Sequence, residues 1–541
     1  MTALSRAIDA AAERLRLAPN RLLLGLGCAG FVLLFGMPTL IMPLATDQVT
    51  FALGARTILS GGQLYGDLWE IKPPLIYLIY SIPFALAGEH VAAIRVLALV
   101  HTVLAMGAVF LLSRRLFNDR AAVFAAGFYG FTYLTWAGVD GLGQVEAFMA
   151  APVALAFFLY RPEDGRKDEA LRAAVAGLLL GAAFALKGTA LLFTLGLPAA
   201  EILYRGAAGW TARGALRRLL LAALGLILVQ AALAAYLAVG GVLDDFMDIQ
   251  RHYTARYSAY RWSPTDISHP RFVLQVTADW IRSTSFLVVP AGTAVFFALA
   301  RPRHARGVLY IALLAALGVA GIWWQGKMFR YHWLVVFPLL APLAGYAVDQ
   351  LGRSLGSLEW RKVFVSWALL ADGIGTLAVQ PILDTYDNYH TMIDLASGSL
   401  SRREVDAHYM PLLSVNHDLV DYVRLNGAAD DRLFVWGFWP YTYFWLDRPL
   451  VTRFVANNGL RATWAPESWR RELMDDLTAA PPRFFAMARG DNQPWLVGTT
   501  ETSEEHLRDS FPELRRFVKR NYSPVRDMGL FVLYERHSVT R

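Results

Sequence analysis

Cysteine is all but absent. The 541-residue chain contains one, Cys28, which excludes an internal disulfide, a CxxC pair and a cysteine-based zinc site. Charge is scarce as well. Asp, Glu, Lys and Arg make up 18% of the residues, against about 25% in a typical soluble domain. Together with 55% hydrophobic residues and a mean hydropathy of +0.37, this excludes disordered, collagen-like and disulfide-scaffold classes and points to an integral membrane protein. There is no Walker loop, no HExxH and no EF-hand loop, so no soluble nucleotide is expected as donor or energy source. Gly25-Leu26-Gly27-Cys28-Ala29-Gly30 fits GxGxxG, but it lies inside an apolar run rather than after a strand. Glycines there, like Gly177 and Gly181, suit close helix packing.

What the chain has in quantity is long apolar runs. After an amphipathic, arginine-bearing start, a run from Leu22 to Leu44 is too long for a signal-peptide core and reads as a membrane anchor. Ten more follow, at Val91–Leu112, Ala121–Val139, Val145–Tyr160, Ala173–Leu186, Thr189–Tyr204, Leu219–Val239, Ser285–Ala300, Val308–Trp324, Trp333–Val348 and Val363–Ile382. Several fall short of the roughly 20 residues a span needs, so ten or twelve spans also fit the lengths. Pro73–Ala87 is apolar but short, and reads as a helix in the outer interface.

Charge orders these runs. Loops 113–120, 161–172, 205–218, 301–307 and 349–362 are short and basic, whereas 45–90, 140–144, 187–188, 240–284 and 325–332 are, as a set, less basic for their length and richer in aromatics. The positive-inside rule places the first set in the cytoplasm and the second outside, together with everything after Ile382. That alternation requires an odd number of spans, about 11. The net charge of +7 then reflects basic cytoplasmic loops rather than nucleic-acid binding.

Residues 383–541 change character. Short apolar runs at Arg432–Gly437, Arg483–Ala488 and Gly529–Tyr534 alternate with helix-like patterns at Asn416–Leu425, Glu467–Leu477 and Ser503–Val518. This predicts a small outer α/β domain after a membrane module of residues 1–382.

The first outer loop concentrates polar residues. Asp47 stands where the first span leaves the bilayer, before an amphipathic helix at Val49–Leu59 closed by Gly61-Gly62. Asp67, Glu70 and Lys72-Pro73-Pro74 follow. Asp47 could serve as a helix N-cap and Lys72 as a snorkelling anchor. The same acids and lysine could equally form a transfer site. Glu146 opens a span after a very short loop, and suits a helix N-terminus or a second acidic ligand. In the loop 240–284, Tyr253, Tyr257, Tyr260 and Trp262 alternate with Arg251, Arg256 and Arg261. This reads either as an interfacial belt or as a lid whose arginines meet a phosphate. Asp372, inside the last run, suits a structural hydrogen-bonded role.

Several of these features occur together in a known group. An Asp after the first span, an alanine-rich helix, Gly-Gly, Tyr65-x-Asp67 and Lys72-Pro73-Pro74-Leu75 resemble GT-C glycosyltransferases of the protein O-mannosyltransferase type. That group includes the lipid A aminoarabinose transferases and lipopolysaccharide-core galacturonosyl transferases. Arg95, Gln144-Val145-Glu146, the stretch from Gly181 to Lys187, Gln325–Trp333, Asn521-Tyr522 and Leu533–Arg536 extend the resemblance over nearly the whole chain. It implies an α-helical polytopic membrane protein with a periplasmic C-terminal α/β domain, in a bacterial inner membrane with its N-terminus in the cytoplasm. It implies transfer of one sugar from a polyprenyl-phosphate carrier to a glycolipid, lipopolysaccharide or protein acceptor on the outer face. Asp47 matches the family's catalytic aspartate. The family often has Glu next, where this chain has Gln48, which puts a second carboxylate there in doubt.

Chemistry assigns expected roles to the other residues. A lipid phosphate leaving group needs fixed cations, and Lys72, Lys187, Lys327, Arg330, Arg256 and Arg261 are the candidates. Glu70, Glu146, Asp67 and His332 could bind the acceptor or, with oxygen ligands, a divalent metal. Trp439, Tyr441 and Tyr443, in an aromatic-rich segment, could stack on an acceptor sugar or form the outer domain's core. A transporter or flippase would need charged groups at the midplane of several spans, and an O-antigen-ligase-type enzyme lacks the Asp47 and Lys-Pro-Pro combination. Both remain the alternatives.

Overall fold

The computed structural model describes residues 19–160, 162, 168–206, 210–264, 266–300, 302–354 and 360–537. The basic residues before Pro19 lie outside them, as does the side chain of Asp372.

The principal helices of the membrane part are α1 (Pro19–Gly36), α2 (Thr46–Leu59), α3 (Leu75–Ala87), α4 (Val91–Leu116), α5 (Asp119–Trp136), α6 (Glu169–Leu186), α7 (Ala212–Val239), α8 (His269–Ser283), α9 (Ser285–Ala300), α10 (Pro302–Gln325), α11 (Phe337–Ser354) and α12 (Trp360–Ser397). Among the described residues, four helices are long and apolar enough to cross a membrane, or up to six when each bent pair counts as one span. Shorter apolar helices, Leu75–Ala87, Val145–Leu159 and Gly188–Leu203, fill other expected positions. The helix that carries the last apolar run extends past Ile382, since α12 continues to Ser397.

Small residues set the closest approaches. A Cβ added to Gly177 of α6 would collide with the carbonyl of Ala222 on α7, and one on Gly225 with the carbonyl of Ala174. α7 otherwise shows an apolar face, with Leu216, Leu220, Leu224 and Ile227 at least half exposed, as expected for contact with lipid.

The first long apolar run breaks at a bend of 82° between residues 27–41 and α2, and that bend places Asp47. The buried guanidinium of Arg95 on α4 holds it from below. Its Nε donates to the Met42 carbonyl at 3.2 Å, Nη1 to the Leu142 carbonyl at 2.6 Å, and Nη2 to the Pro43 carbonyl. Gln48 holds it from the other side, donating to the carbonyls of Val139 at 2.8 Å and Asp140 at 3.1 Å. Carbonyls of two backbone segments, 42–43 and 139–142, are thereby paired and the segments fastened together.

The C-terminal part contains helices α13 (Leu413–Asn426), α14 (Glu467–Ala479) and α15 (Pro512–Asn521) and a four-stranded sheet. Its strands are β1 (Leu433–Trp436), β2 (Phe484–Ala488), β3 (Tyr522–Asp527) and β4 (Phe531–Arg536), in the order β1-β2-β4-β3. β1 and β2 run parallel with Leu433 opposite Phe484, while β4 is antiparallel to both β2 and β3. The three apolar runs became β1, β2 and β4. β3 was not expected, because only Tyr522 of its six residues is buried. Ser503–Val518 is broken at Pro512 into two pieces rather than one helix, since proline lacks the N–H a continuing helix uses.

Trp69 joins the two parts. Its backbone N–H donates to the Arg453 carbonyl at 2.8 Å, and its ring packs on Tyr253, Phe454 and Trp469. Arg453 returns a bond to the Tyr65 carbonyl at 2.7 Å.

Candidate active site

Asp47 lies in the first turn of α2, two residues after its N-cap Ala45. It is not the N-cap itself, and the positive end of the helix favours its charge. Its Oδ2 accepts from Gln144 Nε2 at 3.1 Å and from Tyr331 Oη at 3.3 Å. Oδ1 has no partner among the described residues.

Beside it is a cavity of about 910 Å³ lined at one end by Lys72, Lys187, Lys327, Tyr331 and His332, and at the other by apolar residues of α6, of the stretch after it and of α7, including Leu186, Leu191, Leu195, Leu233 and Leu237. A long apolar chain with an anionic head fits this division of polarity.

Each lysine is held differently. Lys187 caps the end of α6 and pairs with the buried carboxylate of Glu146. Glu146 opens a short helical turn at Val145–Phe148, and its Oε2 has no partner among the described residues. Lys72 follows Glu70, whose Oε1 accepts from the backbone N–H of Ile71 at 2.7 Å. Burial pulls the Lys72 ammonium down, but Asp47, Glu146 and Glu70 outweigh it and hold its pKa above the ordinary value. Burial raises the Glu70 carboxyl to about 7, against the opposing pull of Lys72. Lys327 donates to the carbonyls of Tyr260 at 3.0 Å and Trp495 at 3.1 Å, under the rings of Tyr257 and Tyr260. Burial, then the charge of Arg261, lowers it to about 8. His332 lies 3.8 Å from Glu146. Burial and the three neighbouring lysines push its pKa well down, so the imidazole is neutral.

Other expected residues lie elsewhere. Arg330 stacks on Trp136 and donates to that residue's carbonyl, in a different cavity. Arg256 and Arg261 are exposed and do not line the chamber. Arg261 instead ties down the carbonyls of Ser258, Ala259 and Gln325. Of the aromatic loop, Tyr257 lines the chamber while Tyr253 is buried against Trp69. Asp67 is exposed and accepts from the Gln63 N–H at 2.7 Å as a turn residue. Tyr443 is buried with its hydroxyl accepting from the Val435 N–H at 2.8 Å, and Trp439 packs on Phe531. These two belong to the packing of the C-terminal part and do not line the chamber. Tyr441, also buried, reaches down to within 3.0 Å of the Thr46 hydroxyl, next to Asp47.

Among the described residues no three His, Cys, Asp or Glu side chains are grouped to hold an ion, and Glu146 is committed to Lys187. Gln144 and Tyr331, the two donors to Asp47, lie in the Gln144–Glu146 and Gln325–Trp333 stretches but are not among the residues that charge picks out. Their neutral side chains gave no charge signal to follow.

A family model described as dolichyl-phosphate-mannose-protein mannosyltransferase matches residues 71–235. No curated protein is similar enough in sequence to count as a relative. Among solved structures, ArnT from Cupriavidus metallidurans, bound to undecaprenyl phosphate, shares the fold with a TM-score of 0.61 at 16% identity, over 96% of this chain and 99% of that one. The oligosaccharyltransferase AglB from Archaeoglobus fulgidus matches at a TM-score of 0.48 and 13% identity, over 91% of this chain and 70% of that one.

Proposed function

We propose that this chain, a multi-pass membrane protein of the GT-C superfamily, transfers one sugar from a polyprenyl-phosphate carrier to an acceptor at the outer face of a bacterial inner membrane. One observation carries the reading. A cavity with an apolar wall ends in three lysines next to a carboxylate that two neutral donors hold in place.

The chemistry follows from that arrangement. The acceptor O–H gives its proton to Asp47 Oδ1 as its oxygen bonds to the anomeric carbon. The bond from that carbon to the phosphate oxygen breaks, and the electron pair leaves with the polyprenyl phosphate. Lys72, Lys187 and Lys327 stabilise the charge that grows there. A single displacement of this kind inverts the anomeric carbon. Neutral His332 leaves the positive charge to the lysines.

Binding of undecaprenyl phosphate to the purified protein tests the donor side. Lys72→Met should weaken it about tenfold, as expected for loss of one charge-assisted hydrogen bond of about 1.5–3 kcal/mol. Unchanged titrations with Lys72→Met and Lys327→Met would remove the assignment.

A further inference from the structure

The segment Lys327–Trp333 is a partition between two cavities. Lys327, Tyr331 and His332 line the donor chamber, while Met328, Arg330 and Trp333 line a second cavity of about 480 Å³ on its other side. The end of α5, the helix α8 and residues 380–384 of α12 complete that second cavity.

Its walls are aromatic. Trp136, Trp280 and Trp333 are each 7% exposed or less, and Trp280 and Trp333 stack at 4.1 Å and 13°. The indole N–H groups of Trp280 and Trp333 are buried with no partner among the described residues. Arg330 lies 4.5 Å over the Trp136 ring, and Asp279, Gln380 and Asp384 supply further polar groups.

The charge balance selects the occupant. One arginine faces two carboxylates, of which Asp279 is 3.3 Å from Arg282 and Asp384 accepts from Gln380 at 2.8 Å. A phosphate would meet no net positive charge. Sugar hydroxyls both donate and accept, so an acid, an amide and an arginine can all serve them, while the C–H face of the ring packs on indole. The cavity also opens beside α8, whose exposed Leu274 and Ile281 suit a helix lying along the membrane surface.

We infer that this cavity binds an uncharged sugar ring of a membrane glycolipid, and that this glycolipid is the acceptor. Its role as acceptor rests on the transferase reading; the binding itself does not. The partition is one segment thick, and Tyr331, next to Arg330, already touches Asp47.

Native mass spectrometry of the full-length protein in a sugar-free detergent tests this, with diglucosyl diacylglycerol, phosphatidylglycerol and undecaprenyl phosphate as probes. Saturable binding of diglucosyl diacylglycerol is expected, at least tenfold tighter than phosphatidylglycerol. Arg330→Ala and the cavity-filling Thr135→Phe should each weaken it at least tenfold and leave undecaprenyl phosphate within twofold. If Thr135→Phe does not fold, Asp384→Ala at the cavity edge takes its place. Equal binding of phosphatidylglycerol, no binding of the glycolipid, or binding indifferent to these variants would overturn the inference. Failure of the wild type to bind undecaprenyl phosphate would contradict the donor reading alone and leave the glycolipid result standing.

Discussion

Tyr331 donates its hydroxyl to Oδ2 of Asp47 across 3.3 Å, although the two residues lie on opposite sides of the membrane module in sequence. With Gln144 on the same oxygen, it fixes the carboxylate plane and leaves Oδ1 without a partner among the described residues. Asp47→Asn keeps size and shape, so folding should persist while the rate of transfer falls by about 10²–10⁴. Thermal unfolding and single-turnover rates check both halves. Turnover within a few-fold of wild type would remove Asp47 from the chemistry.

Gln144→Glu tests the support of Asp47 rather than Asp47 itself. Its remaining oxygen can still cap the Val145 N–H, as Gln144 Oε1 does now at 3.0 Å, but it replaces a donor to Asp47 with a like charge. Turnover should drop at least tenfold while undecaprenyl phosphate affinity stays within twofold. A change confined to lipid affinity would place Gln144 on the donor side instead.

The pair Lys187 and Glu146 makes a stability prediction. Their side chains are 13% and 2% exposed. Removing one partner of a buried pair costs about 3–5 kcal/mol, because the other charge is left unpaired. Lys187→Met should therefore lower thermal stability strongly, and Lys187→Met with Glu146→Leu should recover most of it. A double variant as unstable as the single would show that packing, not charge, holds this corner.

Lys327 makes a pH prediction. With its pKa lowered to about 8, the ammonium is charged below that value and attracts a phosphate, and loses its charge as pH rises past it. Undecaprenyl phosphate affinity should fall between pH 7 and 9, and Lys327→Arg should keep it level, since a guanidinium stays charged. The sign for stability is opposite. A lysine whose folded pKa lies below its unfolded one makes the unfolded chain bind more protons between roughly pH 8 and 10, so stability rises with pH there. Donor titrations at three pH values and melting curves check the two signs separately.

Much of this was readable in the sequence. The acids and lysines at loop boundaries marked the site because charge next to an apolar run is costly without a purpose. Alternation of short apolar runs marked β1, β2 and β4. What could not be read was direction. Arg330 and Lys327 are three residues apart, yet the 3₁₀ turn at Arg330–Val335 sends Arg330 to the far side of the partition. Arg256 and Arg261 looked equivalent to Lys327 in composition, and only the path of the loop leaves them exposed. Asp67 looked like a site acid, but it closes its own turn. Tyr443 and Trp439 followed the core reading of their segment, because a strand end with rings on both sides closes over them. In the sequence Gln48 reads as a missing carboxylate. It instead makes two hydrogen bonds that seat the neighbouring loop.

The central claim is transfer of one sugar from a polyprenyl-phosphate donor, with Asp47 as the base. Comparative mass spectrometry of glycolipids and glycoproteins from a deletion strain and its parent tests it most directly, with complementation by wild type and by Asp47→Asn. The account predicts that one acceptor loses the mass of a single sugar, that the wild-type chain restores it, and that Asp47→Asn does not. Identical profiles in deletion and parent, or full restoration by Asp47→Asn, would contradict it.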